Sequence, residues 1–304
     1  RRLRIRDLHI LSTVVKCGSM GKAAQQLAMT QPAVSGAIAN LEHVLRVRLL
    51  DRNPRGIAPT FYADALLRRA ATVFDELKQS TRDIEFLADP STGLVKVGCA
   101  ESFMAGLLPE IIEKLSRGYP KVVVHADYAE HVTTEFRELR ERSVDLIIGR
   151  ISQPLASEDL EVEPLYEETY HVVVSARSPW ARRRKISLAD LAGEPWLHMP
   201  PGNVISVLIA RAFQKQHLDV PQERAASLSM HLRCHLAANA GFVTIMPNSM
   251  LRFNADRWDL KALPIDLGIR ARNVAIITLK SRTLSPVVQL FIDHARMVAK
   301  TMRQ

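Results

Sequence analysis

The 304-residue sequence predicts an N-terminal all-α domain with a wing, a long linker helix, and a two-lobed α/β C-terminal module. Three observations predict it. Charge is uneven: residues 1–70 hold 12 Lys and Arg against 4 Asp and Glu, so +8 of the net +9 lies in the first quarter. Residues 60–88 contain no glycine or proline and carry an apolar repeat suited to one helix. From Gly93 onward, short β-rich runs alternate with helical stretches, the pattern of sheets covered by helices. The expected division is 1–60 for the first domain, 61–89 for the linker, and 93–304 for the α/β module. Within that module, lobe I is expected at about 93–160 and 268–304, and lobe II at about 161–267.

Composition narrows the function classes. At 47% hydrophobic and 24% charged the chain is globular rather than disordered or fibrous. No apolar run approaches the ~20 residues that cross a bilayer, so no membrane partner is expected. The basic start, Arg1-Arg2-Leu3-Arg4-Ile5-Arg6, is not followed by the apolar segment of a secretory leader. Cys17, Cys99 and Cys234 are too few and too far apart for a disulfide scaffold. A cytoplasmic location is the expectation. A basic segment on a neutral body suits a polyanion-binding module with a second function behind it.

The elements follow in order. Leu8, Leu11, Val14 and Val15 recur at helical spacing until Gly18. Ser19 can cap a second helix whose small Ala23 and Ala24 allow close crossing, and Thr30 can cap a third with Pro32 in its first turn. Val34, Ile38, Leu41 and Leu45 form that third helix's buried stripe, which leaves Gln31, Pro32, Ser35, Gly36 and Ala39 outward. This is helix-turn-helix geometry, in which that end enters the major groove and Gln and Ser read base edges. A plain helical hairpin is the alternative. Residues 46–58 favour the first reading: Val47 and Leu49 alternate with charged residues, a turn follows at Asn53-Pro54-Arg55-Gly56, and Ile57-Ala58 returns. Arg52 and Arg55 on such a wing suit phosphate or minor-groove contact.

These residues carry a family resemblance. Ser19, Ala23-Ala24, Leu27, Thr30-Gln31-Pro32-Ala33-Val34-Ser35, Ile38 and Leu41-Glu42, continued by Leu49, Arg52, Arg55-Gly56 and Thr60, resemble the signature of LysR-type transcriptional regulators. The chain departs from it at Gly36, where a basic or amide residue is usual, and at Pro59-Thr60-Phe61-Tyr62-Ala63, which replaces the usual junction after the wing. The resemblance implies sequence-specific binding to a palindromic operator, modulated by a small-molecule effector. The candidate DNA contacts are Ser19, Thr30, Gln31, Pro32, Ser35, Arg52 and Arg55.

Along the linker, Leu66, Ala70, Val73, Leu77, Ser80, Ile84 and Leu87 step by four and three, an a/d seam. Packing on its own domain is the alternative. A two-fold pair of readers suits a palindrome, so a homodimer is expected. The resemblance implies the same linker-helix dimer, often assembled into a homotetramer. RNA polymerase is a further candidate partner.

In the α/β module, strands are expected at 94–99, 122–128, 145–149, 170–175, 196–199, 225–228, 242–246 and 273–279. Helices are expected at 103–117, 133–140, 204–216 and 230–240, and from Ser285. Two such sets suggest lobes around a cleft, as in periplasmic solute-binding proteins, and the resemblance implies the same arrangement. Ligands in such sheets sit at the carboxyl ends of strands beside helix N-termini. That places Ser102, His131, Val132, Arg150, Pro201 and Asn203 on the cleft, and the resemblance puts effector contacts at the stations of Ser102, Val132 and Asn203. Helix N-termini and Arg150 favour a small carboxylate or other organic acid. Glu101 nearby disfavours a highly charged anion, so a sugar or neutral aromatic stays open.

Other signals weigh less. His231, Cys234 and His235 have partial metal spacing without a fourth ligand, so no metal and no resident cofactor are expected. Cys99 has no basic neighbour in sequence and reads as a small buried hydrophobe. Arg182-Arg183-Arg184-Lys185 reads as a solvated loop, with a secondary DNA or partner contact as the other possibility. No Gly-rich phosphate loop or nucleophile elbow supports an enzyme.

Overall fold

The first helix, α1 (Ile5–Cys17), ends where the sequence runs out of apolar residues, and Gly18 takes the left-handed conformation that closes it. Ser19 then caps α2 (Met20–Gln26), its hydroxyl accepting from the Lys22 amide, and Thr30 caps α3 (Gln31–Leu45) by accepting from the Ala33 amide. Leu11, Val14, Ala23, Val34, Ile38, Leu41 and Leu49 fill the core between these helices. The wing pairs β1 (Leu50–Asn53) with β2 (Gly56–Pro59), Asn53 opposite Gly56. We describe residues 3–53, 56–129, 136–151 and 157–302 of a computed structural model, leaving aside the side chains of Arg52 and Asn53.

The wing is shorter than the alternation from Val47 predicts. Arg46 ends α3 in the left-handed region, and Glu42 Oε1 accepts from the amides of Leu49 (2.7 Å) and Leu50 (3.3 Å). Pairing along the wing therefore starts only at Leu50. Gly56, at φ +128°, anchors the return: a Cβ there would lie 3.0 Å from the Gly18 carbonyl oxygen, which accepts from the Ile57 amide.

α4 (Phe61–Ala88) is one unbroken helix, and the chain divides along it into two compact units, Arg1–Ser80 and Thr81–Gln304. In the first unit, Ala63, Leu66 and Leu67 pack on the winged core, and the Phe74 ring meets His9 edge-on at 5.9 Å. Further along α4, Val73, Leu77, Ile84 and Leu87 are exposed.

The second unit has two mixed five-stranded sheets. Lobe I contains β3 (Thr92–Cys99), β4 (Lys121–Tyr128), β5 (Leu146–Ile151), β6 (Leu160–Glu168) and β12 (Arg272–Leu279), in the order β4-β3-β5-β12-β6. Lobe II contains β7 (Tyr170–Ser175), β8 (Trp196–His198), β9 (Glu223–Ala226), β10 (Val243–Pro247) and β11 (Leu260–Ala262), in the order β11-β7-β10-β8-β9. α5 (Glu101–Ala105), α6 (Leu107–Gly118), α7 (Arg137–Arg140) and α11 (Pro286–Met302) belong to lobe I. α8 (Val204–Lys215), α9 (Met230–Asn239) and α10 (Asn248–Asn254) belong to lobe II. Phe103, Leu107, Ile111, Phe291 and Val298 centre the first lobe's core, and Trp196, Ile209, Phe213 and Ile245 that of the second.

Three features depart from the expectation. The sheets are not wholly parallel, because β12 runs antiparallel to both β5 and β6, and β7 antiparallel to β10. The first crossing into lobe II falls at Thr169 rather than near 160, since β6 pairs with β12 from Leu160 to Glu168. Its Glu161, Glu163, Pro164 and Glu167 dilute the β-rich signal that marked other strands. Finally, the helix expected at 103–117 is two, broken at Gly106, where a Cβ would lie 3.2 Å from the Met250 backbone. Of the helix expected at 133–140, residues 137–140 are helical and 133–135 lie outside the described residues.

Candidate functional site

Two places carry functional geometry, one in each unit. In the first, α3 presents its N-terminal turn outward. Val34, Ile38 and Leu41 are buried, whereas Gln31, Pro32, Gly36 and Ala39 are exposed and Ser35 is partly exposed. Because buried and open positions alternate with the helical period, the amide of Gln31 and the hydroxyl of Ser35 stand clear of the core that fixes their backbone. Ser19 and Thr30 are helix caps whose oxygens accept backbone amides; each hydroxyl keeps its proton for an outside acceptor. Arg52 sits on β1; its side chain and the whole of Arg55 lie outside the described residues.

Glu42 is a positioning residue that sequence reasoning quoted without giving it work. Its carboxylate ties the middle of α3 to the two amides that open the wing, so the helix and the wing hold one angle. A lone Glu after a buried Leu gives no sign of this in sequence, because its partners lie seven and eight residues on.

In the second unit, a cleft of about 480 Å³ opens between the lobes. Ser102, Arg150 and Asn203 line it, as the sequence expects. Pro201 does not: it is exposed on the turn before α8, where Gly202 at φ +86° directs the chain. His131 and Val132 lie outside the described residues. Ser102 falls in the first turn of α5 rather than at its cap, a place taken by Ala100.

Arg150 reaches the cleft but is fully engaged on one side. Nη1 donates to Ser102 Oγ at 2.9 Å, Nη2 donates to Glu168 Oε2 at 3.0 Å, and the guanidinium lies 4.1 Å from the Phe103 ring centroid. Glu168 is wholly buried; its Oε1 accepts from the Ser249 amide and its Oε2 from the Ser249 hydroxyl, both at 2.8 Å, at the start of α10. On the other wall, Glu101 Oε2 accepts from the Met230 amide at 2.7 Å, which joins lobe I to the first turn of α9. Burial pushes the Glu101 carboxyl above its ordinary range, opposed by that amide and by Arg233. Arg233 is buried; it donates to the carbonyls of His198, Ser227 and Ile245 and to the Thr244 hydroxyl, and burial draws its guanidinium down to about 10.

Apolar walls complete the cleft: Tyr128, Tyr170, Met199, Ile205, Leu228 and Pro247. Sequence reasoning passed over them, although Tyr128 and Pro247 end strands and Met199 follows one, the stations where such ligands sit. The remaining signals are placed elsewhere. Burial raises the thiols of Cys99 and Cys234 to about 12. Cys234 is buried while His231 and His235 are exposed, so the three share no face. The basic run is exposed, with Arg183 4.6 Å over the Trp180 ring. No described helix is long and apolar enough to cross a membrane.

The chain matches two family models, "Bacterial regulatory helix-turn-helix protein, lysR family" over residues 5–64 and "LysR substrate binding domain" over residues 88–300. Among curated proteins it is similar to the HTH-type transcriptional regulator GbpR of Azospirillum brasilense, 23% identical over 99% of this chain and 88% of that one. It is also similar to the hydrogen peroxide-inducible genes activator of Pectobacterium carotovorum subsp. carotovorum, 28% identical over 90% of each. Two solved structures share the fold. A full-length OxyR from Pseudomonas aeruginosa has a TM-score of 0.66 at 21% identity, covering 99% of this chain and 97% of that one. Full-length CbnR in complex with its target DNA has a TM-score of 0.53 at 20% identity, covering 98% and 100%. Since the second of the two family models alone spans most of the sequence and the first takes in the whole winged domain, this chain belongs to the LysR family and is a transcriptional regulator, not an enzyme.

Proposed function

We propose that the chain acts in the cytoplasm as a homodimer or homotetramer that binds a palindromic operator through residues 1–60. A small molecule in the interlobe cleft would change the geometry of that oligomer. The observation that carries the DNA reading is the open N-terminal turn of α3, where Gln31 and Ser35 stand outside a helix whose other face is buried. Gln31 is suited to adenine and Ser35 to several base edges. The wing's Arg52 and Arg55 suit phosphates, and Ser19 and Thr30 can add hydroxyl contacts. CbnR, which shares the fold, has been solved on its target DNA.

The exposed apolar residues of α4 support the oligomer, and the cleft supports a ligand that comes and goes rather than a resident cofactor. An effector regulates only if it binds one lobe arrangement more tightly than the other, and closure of the cleft supplies two such arrangements. RNA polymerase is the partner through which a change on the operator would reach transcription.

The test is electrophoretic retardation of duplexes that the full chain selects from a random-sequence pool. The reading predicts an inverted repeat and retardation that weakens steeply with salt, as phosphate neutralisation requires. Failure to retard any duplex at low salt would overturn it.

A further inference from the structure

Every feature of the cleft that would attract an anion is already satisfied from within the protein. Three helices begin at its rim, and an N-terminus with free amides is an anion seat. The start of α9 is occupied by the Glu101 carboxylate, through the Met230 amide, and by the Ser229 hydroxyl, which accepts from Leu232. The start of α10 is occupied by the Glu168 carboxylate, through the Ser249 amide and hydroxyl. The start of α8 is capped by Asn203 Oδ1, which accepts from the Ile205 amide at 2.8 Å. The cations balance in the same way. Arg150 is paired with Glu168, and the buried Arg233 faces the field of Glu101. The walls therefore hold no surplus positive charge.

We propose that the cleft takes an uncharged, largely apolar small molecule with hydrogen-bonding groups, and that it discriminates against carboxylates. Tyr128, Tyr170, Met199 and Leu228 receive the apolar body. Ser102, whose oxygen already accepts from Arg150, has its hydroxyl proton to give, and Asn203 has its amide NH2. Arg150 Nε is buried with no hydrogen-bond partner and adds a donor for a ligand oxygen. A carboxylate entering here meets Glu101 without a free cation, and desolvating an unpaired charge is costly. This selects the neutral class among the ligands that the sequence leaves open, and it rests on reading the cleft as the effector site.

The experiment screens small aliphatic and aromatic carboxylic acids against their own primary amides, by ligand-observed NMR and calorimetry on the full chain. Leu228→Trp, which fills the cleft, identifies which binding belongs to it. The expected result is that amides bind about tenfold or more tighter than their acids, a difference of about 1.4 kcal/mol, and lose binding in Leu228→Trp. Glu101→Gln keeps an oxygen to cap α9 but removes the charge, so acids should gain about tenfold in that variant while amides change little. Acids binding the wild type as tightly as their amides, with both sensitive to Leu228→Trp, overturns the neutral class and leaves the cleft as the site. Absence of any binding sensitive to Leu228→Trp overturns the cleft reading itself.

Discussion

Single residues hold the functional surfaces in place through contacts distant in sequence or hidden in the core. Glu42 gives α3 and the wing a common orientation with two charge-assisted bonds, and such bonds contribute about 1.5–3 kcal/mol. Glu42→Ala should lower the stability of the full chain's winged unit by about that amount in urea denaturation, and should weaken DNA binding although Glu42 is not among the DNA contacts. Asp89 does similar work beyond α4. It accepts from the Ser91 hydroxyl and from Lys121 on β4, and these bonds, with the Ser91 amide, hold its carboxyl down to about 2. A depressed carboxylate contributes its full stability above its ordinary value of 3.8 and loses that contribution as pH falls through about 2. Asp89→Asn should therefore be less stable than the wild type near pH 6, and the gap between their urea midpoints should close toward about pH 2. A gap independent of pH would assign the effect to something other than the charge.

Among the elements, those governed by local rules were legible and those governed by partners were not. Ser19, Thr30, Pro32 and Gly18 punctuate α1, α2 and α3 by capping chemistry that acts within a few residues. β6 escaped notice because its partner β12 lies more than a hundred residues away and its exposed positions carry three glutamates and a proline. The break at Gly106 was hidden for the same reason, since the backbone that forces it belongs to α10. The a/d pattern of α4 was readable, but its two ends differ. Leu66 packs on the winged core, whereas Leu77, Ile84 and Leu87 are 49%, 68% and 76% exposed. A helix face of this kind, held in an oligomer, gains about 1.5–3 kcal/mol for each large aliphatic residue buried. Ile84→Glu should weaken self-association at least tenfold in sedimentation analysis, with the monomer's circular dichroism unchanged. An unaltered oligomer would exclude this face from the interface.

At the scale of the whole molecule, charge asymmetry and the change from helical to alternating pattern were enough to separate a basic reader from a neutral, two-lobed sensor. The cleft was legible as a location, through strand ends and helix starts, but not as a chemistry. Glu101 and Glu168 meet helices that begin 129 and 81 residues further along the chain, so their occupation of the anion seats could not be read from local sequence. The central claim is that the open end of α3 reads base sequence while the rest of the unit holds it to the duplex. Its most direct measurement is the affinity of the wild type and of Gln31→Ala for the selected operator and for a scrambled duplex at one salt concentration. The account predicts that Gln31→Ala loses about 1–3 kcal/mol on the operator and almost nothing on the scrambled duplex. Equal losses on both, or none on either, would contradict it.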